Sequence, residues 1–189
     1  MKIIKYFFLF MILYAAVANA STLPQWTIVP DESSLSFTAT QNNAPVSGSF
    51  KHFTGQIFVD PAHYQDSSIE IVVDMNSIST SYAEITSIIL GSDWFNVKEF
   101  PKAEFKSTKI TKKDDQTYDA VGTLTIKNKS VPVTLTFTAV ESPKNHLLID
   151  GHTLVKRTAF GIGQGEWAST NEIKDDVTVN FKVVAIRKE

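Results

Sequence analysis

The chain is 189 residues long, with 43% hydrophobic residues, 20% charged residues and no cysteine. This length and composition fit one globular domain rather than two domains, a disordered chain or a fibrous chain. The 18 basic and 20 acidic residues give a net charge of -2. This balance argues against nucleic acid as a partner, because phosphate binding needs a basic surface. The lack of cysteine excludes disulfides, thiol catalysis and cysteine metal sites.

The first twenty residues are predicted to be a signal peptide. Lys2 and Lys5 precede an uncharged run over residues 6–17, and a small-residue triplet, Ala-Asn-Ala, follows at residues 18–20. The run is shorter than the about 20 apolar residues that span a bilayer. We therefore expect residues 1–20 to be cleaved and residues 21–189 to form one exported domain.

The dominant pattern after residue 20 is an alternation of apolar and polar residues, which is typical of a β-strand with one buried face. The clearest examples are residues 35–39, 69–73, 131–139 and 177–185. Turn-forming residues separate such segments, for example at Asn42–Asn43 and Asn128–Lys129. The pattern predicts an all-β domain of about eight or nine strands.

One segment has helical spacing instead. Its apolar residues recur at intervals of three and four positions between residues 82 and 89. Ser81 and Glu84 predict a capping box before it, and Gly91 predicts its end. We therefore expect a single short helix in the middle of the chain.

An antiparallel all-β domain of this size is a sandwich or a closed barrel. Long amphipathic strands in hairpin succession favour the barrel, because closure removes exposed strand edges. The predicted fold class is a single antiparallel β-barrel of about eight or more strands with one short helix. The interior of an eight-stranded barrel is either filled by side chains or holds one small ligand.

The sequence contains no pattern typical of a metal site or a catalytic site. His52, His63, His146 and His152 are scattered singly, without the paired spacing that metal ligation needs. A Gly-x-Ser-x-Gly nucleophile motif is absent, and the glycines at residues 161–165 have the wrong spacing for a phosphate loop. We predict neither metal ligands nor catalytic residues, and we expect these glycines to allow close backbone packing at a bend of the barrel.

Aromatic residues are clustered in the exported part of the chain. Examples are Phe50 with Phe53, Trp94 with Phe95, and Phe160 with Trp167. Such residues form either an ordinary packed core or the wall of a cavity for a long apolar ligand. The periodicity supports both interpretations equally.

Four short segments carry a family resemblance. They are Gly-Ser-Phe-Lys-His-Phe-Thr-Gly-Gln-Ile at residues 48–57, Ser-Asp-Trp-Phe-Asn at 92–96 with the segment 100–107, residues 121–127, and Arg-Thr-Ala-Phe-Gly-Ile-Gly at 157–163. In order and spacing they resemble the YceI-like, or polyisoprenoid-binding, proteins of bacterial periplasms, from about Trp26 to Arg187. The sequences around Trp94 and Trp167 look closest to the branch associated with cytochrome b561.

The resemblance implies a periplasmic, lipocalin-like barrel whose interior binds an isoprenoid lipid, such as a polyprenyl chain or a quinone tail. It brings no catalytic residue and no cofactor besides this ligand, and it implies a homodimer. Two departures are Asn128, where many members have glycine, and Thr158–Ala159, which replaces an acidic residue beside Arg157. Arg157 is expected to meet a polar head group at the mouth or to pair within the wall. The candidate ligand-binding residues are Phe37, Phe50, Trp94, Phe95, Phe105, Leu135, Phe137, Arg157, Phe160 and Trp167.

Two other functions stay open at this stage. In one, the barrel is a partner of a membrane cytochrome b561-type protein in quinone-linked electron transfer or oxidative-stress defence, and it needs no cavity. In the other, it is an enzyme, which requires a buried acid or histidine with a strongly perturbed pKa inside the barrel.

Overall fold

A computed structural model describes residues 23–142 and 145–188, so the predicted signal peptide at residues 1–20 lies outside the described residues. No helix in these ranges has both the length and the apolar character needed to cross a membrane. The strands are β1 (Gln25–Ile28), β2 (Ser34–Gln41), β3 (Ala44–Phe50), β4 (Phe53–Phe58), β5 (Ser68–Asp74), β6 (Ile78–Thr80), β7 (Lys102–Lys112), β8 (Thr117–Ile126), β9 (Lys129–Ser142), β10 (His146–Lys156) and β11 (Asp176–Arg187). The α-helix is α1 (Ala83–Leu90), and short 3-10 helices occupy Pro30–Glu32, Pro61–Asp66, Met75–Ser77, Arg157–Phe160 and Gly165–Trp167.

The strands form one antiparallel sheet that closes on itself. β1, β4, β5, β7, β8, β9, β10 and β11 pair in this order, and the pairing of β1 with β11 closes an eight-stranded barrel. β2 pairs with the same edge of β11 beyond β1, and β3 and β6 continue the sheet from β2. The predicted fold class, an antiparallel barrel with one short helix, is confirmed.

Two hairpins have two-residue loops with left-handed backbone angles. The φ angles are 48° and 62° at Asn42 and Asn43, and 50° and 59° at Lys127 and Asn128. Positive φ at both central residues is required in a type I′ turn, whose twist matches that of the flanking strands, and asparagine is favoured there. These turns confirm the boundaries predicted near them, and they show why asparagine is tolerated at position 128.

The helix α1 is confirmed, but its predicted N-terminal cap is wrong. The residue before the helix is Tyr82, whose side chain makes no capping hydrogen bond, so Ser81 does not form the capping box with Glu84. Gly91 follows the helix as predicted. Its φ of -73° lies outside the left-handed region, so the helix ends there without a left-handed glycine cap.

The end of the barrel where β10 begins, called the lower end here, is filled by side chains. Trp26 is 1% exposed, and its indole Nε1 donates a hydrogen bond of 2.9 Å to the carbonyl oxygen of Val59. The Tyr118 and Phe137 rings stack with centroids 5.9 Å apart. The small void beside Tyr118 and Phe137 has a volume of about 20 Å³. This closed core leaves the opposite, upper end available for a site.

Candidate functional site: an apolar cavity

The upper part of the barrel is hollow. It encloses a cavity of about 320 Å³, and every strand except β1 contributes side chains to its wall. Because side chains alternate along a strand, the wall consists of the apolar faces that the sequence pattern predicted to be buried. On β11, for example, Val177, Val179, Phe181 and Val183 all face the cavity. The volume falls at the lower end of the range of about 300–1,000 Å³ that small-molecule sites occupy.

Two chain segments, one around Trp94 and the other around Trp167, contact each other and cover the upper end of the cavity. The backbone N–H of Gln164 donates to the carbonyl oxygen of Asp93 at 2.8 Å. The rings of Trp94 and Trp167 have centroids 5.9 Å apart. The Lys127 Nζ donates to the carbonyl oxygens of Ser92 and Gly161 at 3.3 and 3.0 Å. Burial of this amine, followed by the nearby charge of Lys129, lowers the pKa of Lys127.

The cavity reaches the surface beside α1. Ile85, Ile88 and Ile89 of the helix line the cavity, yet Ile88 is 44% exposed. Gln41 and Val46, on either side of the β2–β3 turn, are also partly exposed lining residues. An exposed apolar residue that also lines a cavity marks its opening, so the mouth lies between α1 and the β2–β3 hairpin.

All of the candidate ligand-binding residues lie in the cavity wall. Phe105, Phe137, Arg157 and Phe160 are buried, whereas the others are partly exposed, as expected for side chains next to open space. The partly exposed ones are Phe37, Phe50, Trp94, Phe95, Leu135 and Trp167. Their position in the wall is observed, and their contact with a ligand stays a prediction.

Arg157 pairs within the wall, which is one of the two alternatives that the sequence left open. The side chain is 2% exposed. All of its N–H groups are directed at backbone oxygens: Nε donates to Lys174, Nη1 to Ile162 and Gly163, and Nη2 to Ser169 and Ile173, over distances of 2.9 to 3.2 Å. Burial lowers the pKa of Arg157, and the charge of Asp175 opposes this shift. No donor of Arg157 is left to bind a head group at the mouth.

Asp175 supplies the carboxylate that the sequence lacks directly after Arg157. Its Oδ1 accepts hydrogen bonds from the backbone N–H and the hydroxyl of Thr158, at 3.0 and 2.8 Å. Burial acts to raise the pKa of Asp175, but these two bonds and the charges of Lys156 and Arg157 outweigh it, so the pKa is lowered. Asp175 thereby fixes the 3-10 helix that begins at Arg157.

Three strand glycines pack against phenylalanines of the cavity wall, and they were not among the residues predicted from the sequence. A Cβ atom at Gly48 would lie 2.5 Å from Cζ of Phe37, and one at Gly122 would lie 2.6 Å from the ring of Phe105. A Cβ atom at Gly151 would lie 2.6 Å from Cζ of Phe181. The rings therefore occupy the space that a side chain at each glycine would take. An isolated glycine inside a strand pattern was the available signal, because it indicates close approach of another group.

The glycines at residues 161–165 lie in the loop that follows β10. Gly161, Gly163 and Gly165 have φ angles of 66°, 73° and 62°, which lie in the left-handed region that favours glycine. At Gly163 a Cβ atom would also collide with Nη1 of Arg157. The glycines shape the loop around the guanidinium, rather than a bend in the barrel wall.

The wall contains few polar groups. They are Gln41, Thr80, Thr153 and Arg157, and no carboxylate or imidazole is among the described lining residues. The catalytic alternative depended on a buried acid or histidine at this place, so the described wall offers it no support. Thr153 was also missed, although a polar residue at an inward position of an apolar strand was a visible signal.

Comparison with known proteins gives one family and several similar structures. The profile of the YceI-like domain family matches residues 26–185. UPF0312 proteins of Yersinia pestis and Yersinia enterocolitica are 35% identical to the chain over 88 residues. This match covers 47% of the chain and 45% of each relative. The matched region thus spans less than half the length of these curated relatives.

Three solved structures have a similar fold. The crystal structure of BcnA from Burkholderia cenocepacia has a TM-score of 0.80 and 32% identity, covering 83% of this chain and 98% of that one. The YCEI protein of Campylobacter jejuni has a TM-score of 0.66 and 22% identity, with coverage of 75% and 84%. A polyisoprenoid binding domain from Saccharophagus degradans, implicated in plant cell wall breakdown, has a TM-score of 0.69 and 15% identity, with coverage of 86% and 98%.

Proposed function

The chain belongs to the YceI-like domain family, and we propose that it is a binding protein that holds an isoprenoid lipid inside its barrel without catalysing a reaction. The ligand is a polyprenyl chain or a prenylated quinone. The observation that carries the proposal is the apolar cavity of about 320 Å³ at the upper end of the barrel. The polyisoprenoid binding described for the Saccharophagus degradans domain supports the same ligand class.

The chemistry of the wall suits such a ligand. An isoprenoid chain is apolar along its length, and most of the lining side chains are aliphatic or aromatic. Transfer of the chain from water to this wall is favourable by roughly 25 cal/mol for each square ångström of apolar surface removed from water. The partly exposed aromatic rings of Phe37 and Phe50, with centroids 5.8 Å apart, provide surface that a ligand would cover.

We further propose that the protein acts in the periplasm, after cleavage of residues 1–20, and carries or stores the lipid there. The positively charged start and the uncharged run that follows support export. A homodimeric state belongs to the same proposal, whereas a place beside a membrane cytochrome b561-type protein is the alternative to it. N-terminal sequencing of the protein from the periplasm tests the first step, and a mature chain that begins at Ser21 is the expected result.

The main test is native mass spectrometry of the protein purified gently from bacterial periplasm, followed by extraction and identification of any lipid. We expect a stoichiometric prenyl lipid or quinone that is lost on denaturation. A mass without ligand that stays unchanged after incubation with isoprenoids would contradict the proposal. That result would instead favour the alternative in which the barrel is a protein partner of a membrane cytochrome.

A matched pair of variants locates the lipid in the cavity. Val179 faces the cavity, whereas Val121 is an exposed residue outside it. Val179→Asp places a charge on the apolar wall and is expected to reduce the retained lipid at least about tenfold. Val121→Asp introduces the same charge outside and should leave retention unchanged, with circular dichroism showing that both variants fold. Equal retention by the two variants would place the lipid elsewhere.

A further inference from the structure

Thr153 provides the cavity with a polar group that the protein itself does not use. The residue is 6% exposed, lies in the wall and makes no hydrogen bond through its hydroxyl with any described residue. Among the other polar lining groups, Thr80 donates to the carbonyl oxygen of Tyr82 and Arg157 is saturated by backbone carbonyls, whereas Nε1 of Trp94 has no partner but is itself fully buried. Gln41 lies at the mouth, in contact with solvent.

The hydroxyl of Thr153 interrupts an otherwise apolar inward face of β10. Along β10 the side chains of Leu147, Ile149 and Val155 point inward with Thr153, and Thr153 lies opposite Val179 of β11. Valine has nearly the same shape as threonine and would complete the apolar wall. A buried hydroxyl without a partner costs about 1–3 kcal/mol, so a pure hydrocarbon that displaced water from Thr153 would bind against this penalty.

Arg157 gives the same end of the cavity a positive potential. Arg157 follows β10 directly, lines the cavity and takes part in no ion pair within residues 23–142 and 145–188. Its five hydrogen bonds go to neutral carbonyl groups, and the Asp175 carboxylate acts on it only from a greater distance. A positive charge at the edge of an apolar cavity attracts an electron-rich atom of a ligand.

We infer that the ligand places a neutral hydrogen-bond acceptor oxygen, such as a quinone carbonyl, on the hydroxyl of Thr153 at the Arg157 end of the cavity. The inference rests on the proposed function and specifies its ligand class, an oxygen-bearing isoprenoid rather than a hydrocarbon. An anionic head group such as a phosphate needs several donors, and the wall offers one accessible free hydroxyl. The other unpaired donor, Nε1 of Trp94, has an accessible surface below 1 Å², so a ligand oxygen does not reach it.

The test compares two probes on the lipid-stripped protein. One probe is a benzoquinone with a two-isoprene tail, whose binding is followed by quenching of tryptophan fluorescence. The other is a three-isoprene hydrocarbon, measured by competition with the quinone. We expect Thr153→Val to weaken quinone binding about tenfold and to leave hydrocarbon binding unchanged or tighter. Thr153→Ser keeps the hydroxyl and should restore quinone affinity.

The controls separate this inference from the proposed function. Thr134→Val makes the same change on an exposed position of β9 and should alter neither affinity. If the normal protein binds both probes and Thr153→Val leaves the quinone affinity unchanged, or weakens both probes equally, the Thr153 site is wrong and the proposed function stands. If the normal protein binds neither probe, the proposed function fails.

Discussion

At the scale of single residues, Arg157 organises the cover of the cavity. Its planar guanidinium holds five backbone carbonyl oxygens between residues 162 and 174. A carbonyl group buried without a donor costs free energy, so this loop depends on a side chain with five fixed donors. Lysine carries the same charge but has three donors on one atom, and it cannot reproduce this geometry.

We therefore predict that Arg157→Lys lowers the free energy of unfolding by roughly 3 kcal/mol, because buried carbonyls lose their donors. Urea denaturation followed by circular dichroism measures the change. Arg187→Lys is the matched control, since Arg187 is exposed at the end of β11, and it should change stability by less than about 0.5 kcal/mol. Equal stabilities of the two variants would show that the five bonds do not hold the loop.

The sequence predicted the location of Arg157 but not its hydrogen-bond partners. The sequence indicated that this residue belongs to the site, and it is found there. It left open whether the guanidinium is free or paired. The partners are backbone carbonyls of the loop that follows β10, and no local sequence pattern marks such groups. Only the path of the chain after β10 brings them together.

At the scale of elements, the strands keep the cavity open by pairing glycine with phenylalanine. Gly48 lies opposite Phe37 on neighbouring strands, and the ring covers the glycine instead of filling the barrel. Gly122 likewise lies against the Phe105 ring of the neighbouring strand β7, and Gly151 lies opposite Phe181 of β11, whose ring covers it. A side chain in place of these glycines would push the ring away from the wall and towards the ligand space.

Gly48→Ala is expected to destabilise the fold by about 1–3 kcal/mol and to reduce lipid uptake, because the new methyl group displaces the Phe37 ring. The added Cβ would also lie 2.8 Å from the carbonyl oxygen of Ser79, so part of the loss is independent of the ring. Combining Gly48→Ala with Phe37→Leu should therefore recover part of the loss. Thermal unfolding of both single variants and the double variant gives a coupling free energy of about 1 kcal/mol or more. Strict additivity would mean that ring and glycine are independent.

At the scale of the whole molecule, the barrel has a filled lower end and a hollow upper end. Leu147 is fully buried among the lower core side chains, whereas Leu135 lines the cavity and is partly exposed. The lower core stabilises the closed barrel without a ligand, so the upper end is able to stay open. This division lets one domain be both stable and a container.

Because the lower end is filled and the upper end is hollow, we expect a leucine-to-alanine substitution to lower the free energy of unfolding by different amounts at the two ends. Leu147→Ala should lower the free energy of unfolding by about 2–5 kcal/mol, because it opens a void in a packed core. Leu135→Ala should cost about 1–2 kcal/mol, since its side chain already borders open space. Urea denaturation of the lipid-free protein compares the two leucines directly. Equal costs would indicate that the upper end is as tightly packed as the lower end.

The sequence by itself determined the all-β class, the single helix, the barrel and the apolar inward face, because alternation and turn residues are local properties that each strand carries alone. It also indicated ten of the residues now seen in the cavity wall. The tertiary structure alone decided that the barrel is hollow at one end and filled at the other. That difference depends on how strands, glycines and the loops around Arg157 pack across the barrel, and such contacts join residues that are far apart in the chain.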